Sequence, residues 1–330
     1  MLRKYKCVII RVILVKEKCP LLNLELINDK SDKSRILQGD SLRILKKMES
    51  ESVDLVVTSP PYNVGKEYED KASLEEYSEF QTKIIEEIRR VLKPTGNVAW
   101  EVGNYIEDRE VFPLDIYFYN IFKKLNFKLR NRIIWRFGHG LHARLRFSGR
   151  YETILWFSKD DTYTFNLDDV RVPSKYPGKK SYKGAKKGQL SGNPKGKNPE
   201  DVWDIVLQDW EEEVWNIVNV KSNHVEKTDH PAQFPIELVD RLVLALSNEE
   251  DVVLDPFGGS GSTLISAIKN NRVGISIDLS KKYTAIANDR LEELKKGTLK
   301  MRPMTKPVHA PKNDSVAKIP DEWKGNGVYK

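Results

Sequence analysis

Two hydrophobic periodicities alternate along the chain. Val53 to Thr58 is a near-continuous apolar run, the pattern of a strand buried on both faces. From about Leu74 to Leu92 apolar residues recur at helical spacing, and Lys93-Pro94-Thr95-Gly96 ends that helix. Shorter strand patterns are read at Arg35 to Gly39, Asn97 to Trp100, Asn131 to Phe137, Glu152 to Phe157, Asp251 to Leu254 and Val273 to Ile277. Helices are expected at Ser41 to Met48, Phe112 to Leu125, Pro235 to Leu246, Ser262 to Asn270 and Lys281 to Leu294. Such alternation predicts an α/β protein with a mostly parallel sheet.

The pattern breaks in the middle. From Arg171 to Pro199 there are nine Lys or Arg, no Asp or Glu, five Gly and four Pro, so this stretch builds no core and no regular element. Trp203, Trp210 and Trp215 follow among acidic residues. The organisation read from these shifts is an N-terminal extension (1–34), a first α/β half (35–160), a basic insert (161–229), a second α/β half (230–298) and an extended tail (299–330).

Composition narrows the class. The 330 residues are 39% hydrophobic and 31% charged, an ordinary globular balance. The net charge of +7 suits a polyanionic partner without singling out nucleic acid. Two cysteines, Cys7 and Cys19, give no disulfide framework and point to a reducing cytoplasm. The apolar run from Cys7 to Val15 is interrupted by Arg11 and is too short to span a bilayer, so no membrane association is expected. The histidines, His139 and His142 included, do not cluster with cysteines at metal spacing, and no metal is expected.

Two strand-end segments carry candidate chemistry. Asp255-Pro256-Phe257-Gly258-Gly259-Ser260-Gly261 lies between a strand and a helix, where small residues let a backbone approach a ligand. It is neither the dinucleotide fingerprint nor a P-loop, and alone it is equally a tight turn. Asp278 closes the next strand, a place from which a carboxylate can hold ribose hydroxyls. Thr58-Ser59-Pro60-Pro61-Tyr62-Asn63 also follows a buried strand. Its two prolines rigidify the loop and remove two backbone donors while keeping their carbonyl acceptors.

Together these segments resemble the amino-methyltransferases of DNA. That family has Asp, Asn or Ser before Pro-Pro and an aromatic residue, and a cofactor signature Asp-Pro-Phe-x-Gly-x-Gly. Catalytic motif first and cofactor motif last is the order of its beta class. His230-Pro231-Ala232-Gln233-Phe234-Pro235 is similar to the family motif preceding the cofactor loop. The resemblance runs from about Ile36 to Leu294. It implies a Rossmann-like S-adenosylmethionine-dependent methyltransferase fold with a seven-stranded, mostly parallel sheet. The sheet is circularly permuted, and a target-recognition region is inserted between the halves. On this mapping the glycine strand and the Asp278 strand are the family's first and second. Arg35 to Gly39 and Val53 to Thr58 are its third and fourth, which places Asp40 beside the adenine.

The resemblance further implies S-adenosylmethionine as cofactor, held by Asp40, Asp255, Phe257, Gly259, Ser260, Gly261, Thr263 and Asp278. Ser59, Pro60, Pro61 and Tyr62 would form the catalytic loop. An exocyclic amine is a poor nucleophile because its lone pair is delocalised into the ring. Acceptors on its hydrogens, here the Ser59 hydroxyl and the Pro60 carbonyl, favour the nucleophilic form, and Tyr62 would stack on a base flipped from the duplex. Cytosine carbon-5 chemistry needs a nucleophilic thiol, and neither cysteine lies in a motif. Ser before Pro-Pro-Tyr, with Ala232 and Phe234, resembles the cytosine-N4 enzymes, and adenine N6 is the alternative. An RNA or protein methyltransferase and a non-catalytic binding module are weaker readings, opposed by the motif order, the basic insert and the cofactor loop. Double-stranded DNA is the expected partner, with phosphate contacts from Arg171, Lys175, Lys179, Lys180, Lys183, Lys186 and Lys187. A paired restriction endonuclease and a monomer or homodimer are also expected.

Overall fold

The structure is a computed structural model that describes residues 33–63, 72–137, 142–172, 179–204, 220 and 224–302. Cys7, Cys19, His139, Lys175, Trp210, Trp215, almost all of the N-terminal extension and the tail beyond residue 302 lie outside the described residues.

The first half holds β1 (Ser34–Gln38), α1 (Ser41–Leu45), β2 (Val53–Thr58), α2 (Leu74–Val91), β3 (Leu92–Val102), β4 (Asn104–Glu107), β5 (Glu110–Pro113), α3 (Leu114–Lys124), β6 (Lys128–Arg136) and β7 (Tyr151–Ser158). After β8 (Val202–Asp204) come α4 (Ile236–Leu246), β9 (Val252–Asp255), α5 (Ser262–Lys269), β10 (Val273–Asp278) and α6 (Lys281–Lys295).

Eight strands form one sheet in the order β1-β10-β9-β2-β3-β7-β6-β8. The pairings β1/β10, β10/β9, β9/β2, β2/β3 and β6/β8 are parallel, and β7 runs antiparallel to both neighbours. The first strand of the chain thus lies beside the last, with Arg35 opposite Ile275. This is the permuted order implied by the motifs. The eighth strand extends the expected seven: Val202 and Trp203 align with Ile134 and Trp135 beyond the sheet's expected edge.

The period-two side-chain alternation of β2 explains why its sequence reads as continuously apolar. Val56 faces one core with Ile84, Ile88, Trp100 and Phe118. Leu55 and Val57 face the other with Leu238, Leu242 and Val243. Helices α1, α2 and α3 cover the first face, and α4 and α5 cover the second. The α2 helix begins in a capping box, with the Ser73 hydroxyl accepting from Glu76 N and the Glu76 carboxylate accepting from Ser73 N. No helix among the described residues is long and apolar enough to cross a membrane.

Two expectations change. The helix expected from Phe112 starts only at Leu114, because residues 104–113 form the β4–β5 hairpin, with Tyr105 opposite Phe112. The helix ending before Lys93-Pro94 passes straight into β3, which shifts register against β2 near Val53 and Leu55.

Candidate active site

The carboxyl ends of β2, β3, β9 and β10 converge on a cavity of about 730 Å³. Ser59, Pro60, Pro61 and Tyr62 form one wall, and Pro256 to Ser260, Asp278 and Asp40 form another. Segments about two hundred residues apart meet because β2 and β9 are neighbours in the sheet.

The wall nearest β2 is held from both ends. Thr58 donates its hydroxyl proton to Asp255 Oδ1 at 2.6 Å, and Phe257 N donates to the same oxygen at 3.0 Å. Thr263 donates to Val57 O at 3.2 Å, joining the first turn of α5 to β2. Burial pushes the Asp255 carboxyl up to about 6 against these hydrogen bonds, which pull it down. Downstream, Tyr77 Oη donates to Pro61 O at 2.7 Å, so α2 holds the second proline carbonyl. Asn63, at φ 59°, makes a two-way pair with the Ala72 backbone.

Tyr62 occupies a more informative position. Its phenol donates to Glu101 Oε2 at 2.8 Å and lies 3.0 Å from Ser59 Oγ. A phenol has one proton. With that proton given to Glu101, Ser59 must donate to Tyr62, and the Ser59 oxygen keeps its lone pairs for another donor. Burial, followed by the nearby Glu101 and Glu152 carboxylates, holds the Tyr62 pKa well above its usual value, so the phenol stays protonated. Glu101 on β3 and Glu152 on β7 both line the cavity.

The opposite wall is a backbone cradle. Gly259 N donates to Asp278 Oδ2 at 2.9 Å, and Ser280 N donates to Oδ1 at 2.7 Å. Gly259 has φ 50°, and a Cβ there would lie 2.8 Å from His230 Nε2. His230 in turn packs edge-on against Tyr283, with centroids 4.4 Å apart. The histidine motif and the glycine loop are therefore one packed unit. Gln233 accepts from Thr228 and donates to Glu226 O, so it braces this segment. Ser260 is buried, its carbonyl accepting from Arg290 at 2.7 Å. Asp40 caps α1, accepting from Arg43 N at 3.0 Å. Phe257 packs between Trp100 and Phe80.

These residues fit an adenosyl group. Two strand-end carboxylates line the cavity as acceptors suited to hydroxyl and amine donors, a glycine loop lines it with backbone, and Phe257 supplies an aromatic surface. The structure brings all the sequence-expected catalytic and cofactor residues to this one region, although Asp255, Gly261 and Thr263 stand behind the loop and shape it. Among the cavity residues that the motifs did not single out are Phe80, Glu101, Trp135 and Glu152. Glu101 does carry a sequence signal, as a charge inside the apolar run Val98-Ala99-Trp100-Glu101-Val102.

Of the expected DNA-contact residues, Lys175 lies outside the described residues and none of the others lines the cavity. Lys179, Lys180, Lys183, Lys186 and Lys187 are exposed on a turn closed by Ser181 N to Gln189 O and Ser191 N to Lys179 O. Arg171 is bound to Asp168 at 2.7 Å and to Gly196 O at 3.0 Å, and its side chain is mostly covered.

Residues 53–289 match the family model described as DNA methylase. The chain is 48% identical over 255 residues to the Type II methyltransferase M.BglII of Bacillus subtilis, covering 77% of this chain and 68% of the relative. It is 33% identical over 262 residues to the DNA adenine methyltransferase YhdJ of Escherichia coli, covering 78% and 82%. The solved structure of TTHA0409 from Thermus thermophilus, complexed with S-adenosyl-L-methionine, superposes with a TM-score of 0.54 at 27% identity and covers 79% of this chain and 95% of that one. A glycine-loop wall and a Pro-Pro-Tyr wall meeting across a permuted sheet, in a chain this similar to those proteins, make it a member of the N6/N4 DNA methylase family, whose cofactor is S-adenosylmethionine.

Proposed function

We propose that the protein methylates the exocyclic N4 of cytosine at specific sites in double-stranded DNA, protecting that DNA from a paired restriction endonuclease. The observation that carries this reading is the hydrogen-bonded chain from Ser59 through Tyr62 to Glu101 at the cavity wall. S-adenosylmethionine, when bound, supplies a sulfonium methyl group as the electrophile. Asp40 and Asp278 would hold its adenosine part, with Phe257 against the base and the Gly258–Ser260 backbone beneath.

The chain's own residues do the rest. The directed chain leaves the Ser59 oxygen as an acceptor for one amine hydrogen, and the Pro60 carbonyl accepts the other. Withdrawing both hydrogens from the ring plane returns the lone pair to nitrogen. One of those protons becomes acidic once the nitrogen carries the methyl group. The Ser59–Tyr62–Glu101 chain ends on a carboxylate that can hold it. The partly open face of Tyr62 offers a stacking surface for the flipped base.

The choice of cytosine rests on Ser59 standing where adenine enzymes carry Asp or Asn, with Ala232 and Phe234 in support. Adenine N6 is the competing reading, favoured by the likeness to YhdJ. The phosphate contacts assigned to Arg171, Lys175, Lys179, Lys180, Lys183, Lys186 and Lys187 belong to the same proposal. So do the division into a catalytic half (35–160), a recognition insert (161–229) and a cofactor half (230–298), the cytoplasmic location, the absence of a metal and the monomeric or dimeric state. The test is incubation with methyl-labelled S-adenosylmethionine and plasmid DNA, RNA or bulk protein. Label entering plasmid DNA alone is expected. Label entering only RNA or protein overturns the reading.

A further inference from the structure

The loop between β6 and β7 has no role in the site described so far. It leaves the sheet two residues past Trp135 and returns two residues before Glu152, and these two cavity residues face each other across the strand pair. Because β6 runs parallel to β3, the chain leaves β6 and rejoins β7 at the same sheet edge as the cavity. Its base is closed by Phe137 N donating to Arg150 O at 2.8 Å, and Ala143 N to Ser148 Oγ at 3.1 Å ties its outer part. At the rise of a strand, the base is about 7 Å from the cavity wall.

The loop's chemistry is unusual for a surface turn. Phe147 is completely exposed and Leu145 is 78% exposed. Arg144, Arg146 and Arg150 accompany them, with no acidic residue between His142 and Tyr151. One exposed apolar side chain is ordinary. Two of them alternating with arginines, on a tied loop whose base adjoins the cavity wall, is a different arrangement. Arginines are suited to phosphate, and an apolar tip is suited to the gap between unstacked bases.

We propose that this loop is a duplex-opening wedge. Phe147 and Leu145 enter the DNA where the target base leaves its stack, and Arg144 and Arg146 grip the flanking phosphates. The inference rests on the DNA methyltransferase reading and adds its means of extracting the base. It differs from the phosphate contacts of the basic insert, which supply affinity without opening the helix.

The test uses the full chain with Leu145→Ala and Phe147→Ala combined. The target site is first mapped by sequencing plasmid methylated by the wild type. Single-turnover methylation is then measured on a short duplex with that site, and on the same duplex carrying an abasic position opposite the target base. Such a gap lowers the cost of flipping. The variant should methylate the matched duplex about tenfold more slowly or worse, approach the wild-type rate on the abasic duplex, and bind S-adenosylmethionine unchanged. Phe147→Leu should retain most of the matched-duplex rate. Separately, Arg144→Ala with Arg146→Ala should lower the slope of log affinity against log salt by about two. An unchanged rate on the matched duplex, or the same loss on both duplexes, overturns the wedge. A wild type that labels RNA or protein but no DNA overturns the underlying reading as well.

Discussion

Ser59 has two hydrogen-bond directions open to it, and its neighbours choose between them. Glu101 takes the Tyr62 proton, Tyr62 takes the Ser59 proton, and the serine faces the cavity as an acceptor. Ser59→Ala removes the acceptor and should cut the single-turnover rate by about a hundredfold, the scale of losing one well-placed polar contact in a transition state. Glu101→Gln keeps the length but lets an amide donate to Tyr62, which releases the fixed direction. It should lower the rate less than Ser59→Ala and leave cofactor affinity, read by titration, unaltered in both variants. A parallel loss of cofactor binding contradicts the assignment of the loop. Asp255 gives a pH signature at the same scale. Between its ordinary 3.8 and about 6, the folded protein keeps a proton that the unfolded chain has lost. This group therefore makes stability fall as pH rises through that window, by at most roughly 3 kcal/mol. Asp255→Asn retains the Oδ1 acceptor for Thr58 and Phe257 and should remove that component. Denaturant melts of both proteins should show the variant gaining on the wild type from about pH 4 to about pH 6; a constant difference contradicts the burial argument. Ser59, Tyr62 and Asp278 were legible from motifs because each sits at a strand end. The charge of Glu101 in its apolar run was visible, but the meeting of Glu101 and Glu152 with Tyr62 was not, since it depends on β3 pairing with β2 and β7 pairing with β3.

The elements that define the site are a loop and a helix start rather than whole strands. Gly259 combines a left-handed backbone with a histidine ring where a side chain would be. Gly259→Ala incurs both strain and collision, so it should destabilise the fold by about 1–3 kcal/mol and abolish detectable cofactor binding. A variant that binds cofactor normally by calorimetry would show that the His230 contact yields freely. The same scale shows where the hydrophobic pattern misleads. Val111 and Phe112 continue a helical spacing into α3, yet they belong to a hairpin. Its two-residue turn, Asp108-Arg109, has φ values of 47° and 71°, the left-handed geometry usually announced by Asn-Gly. Without a glycine there, nothing local marks the turn. The three-residue β8 escaped notice for another reason. So short an element is fixed by its neighbour β6 and not by its own periodicity.

At the scale of the molecule, the permutation keeps chemistry in one place while changing the order in which the chain supplies it. Strand β1 opens the described chain and docks on β10 near its end, so the two halves fold as one sheet. That order was readable because both motifs end strands and α/β sheets gather strand ends into one cleft. The exposed lysine turn at 179–191 contributes to the net charge of +7 and does not line the cleft. Replacing Lys183, Lys186 and Lys187 by alanine should weaken binding to every duplex alike and reduce the salt slope by about three. A loss confined to one sequence would instead mean that these residues read bases. The identity of the atom that receives the methyl group decides between the readings. Plasmid DNA methylated by the wild type, digested to nucleosides and resolved chromatographically against standards before mass analysis, answers it directly. N4-methyldeoxycytidine is the expected product; N6-methyldeoxyadenosine would overturn the choice of base, and 5-methyldeoxycytidine would overturn the amine chemistry itself.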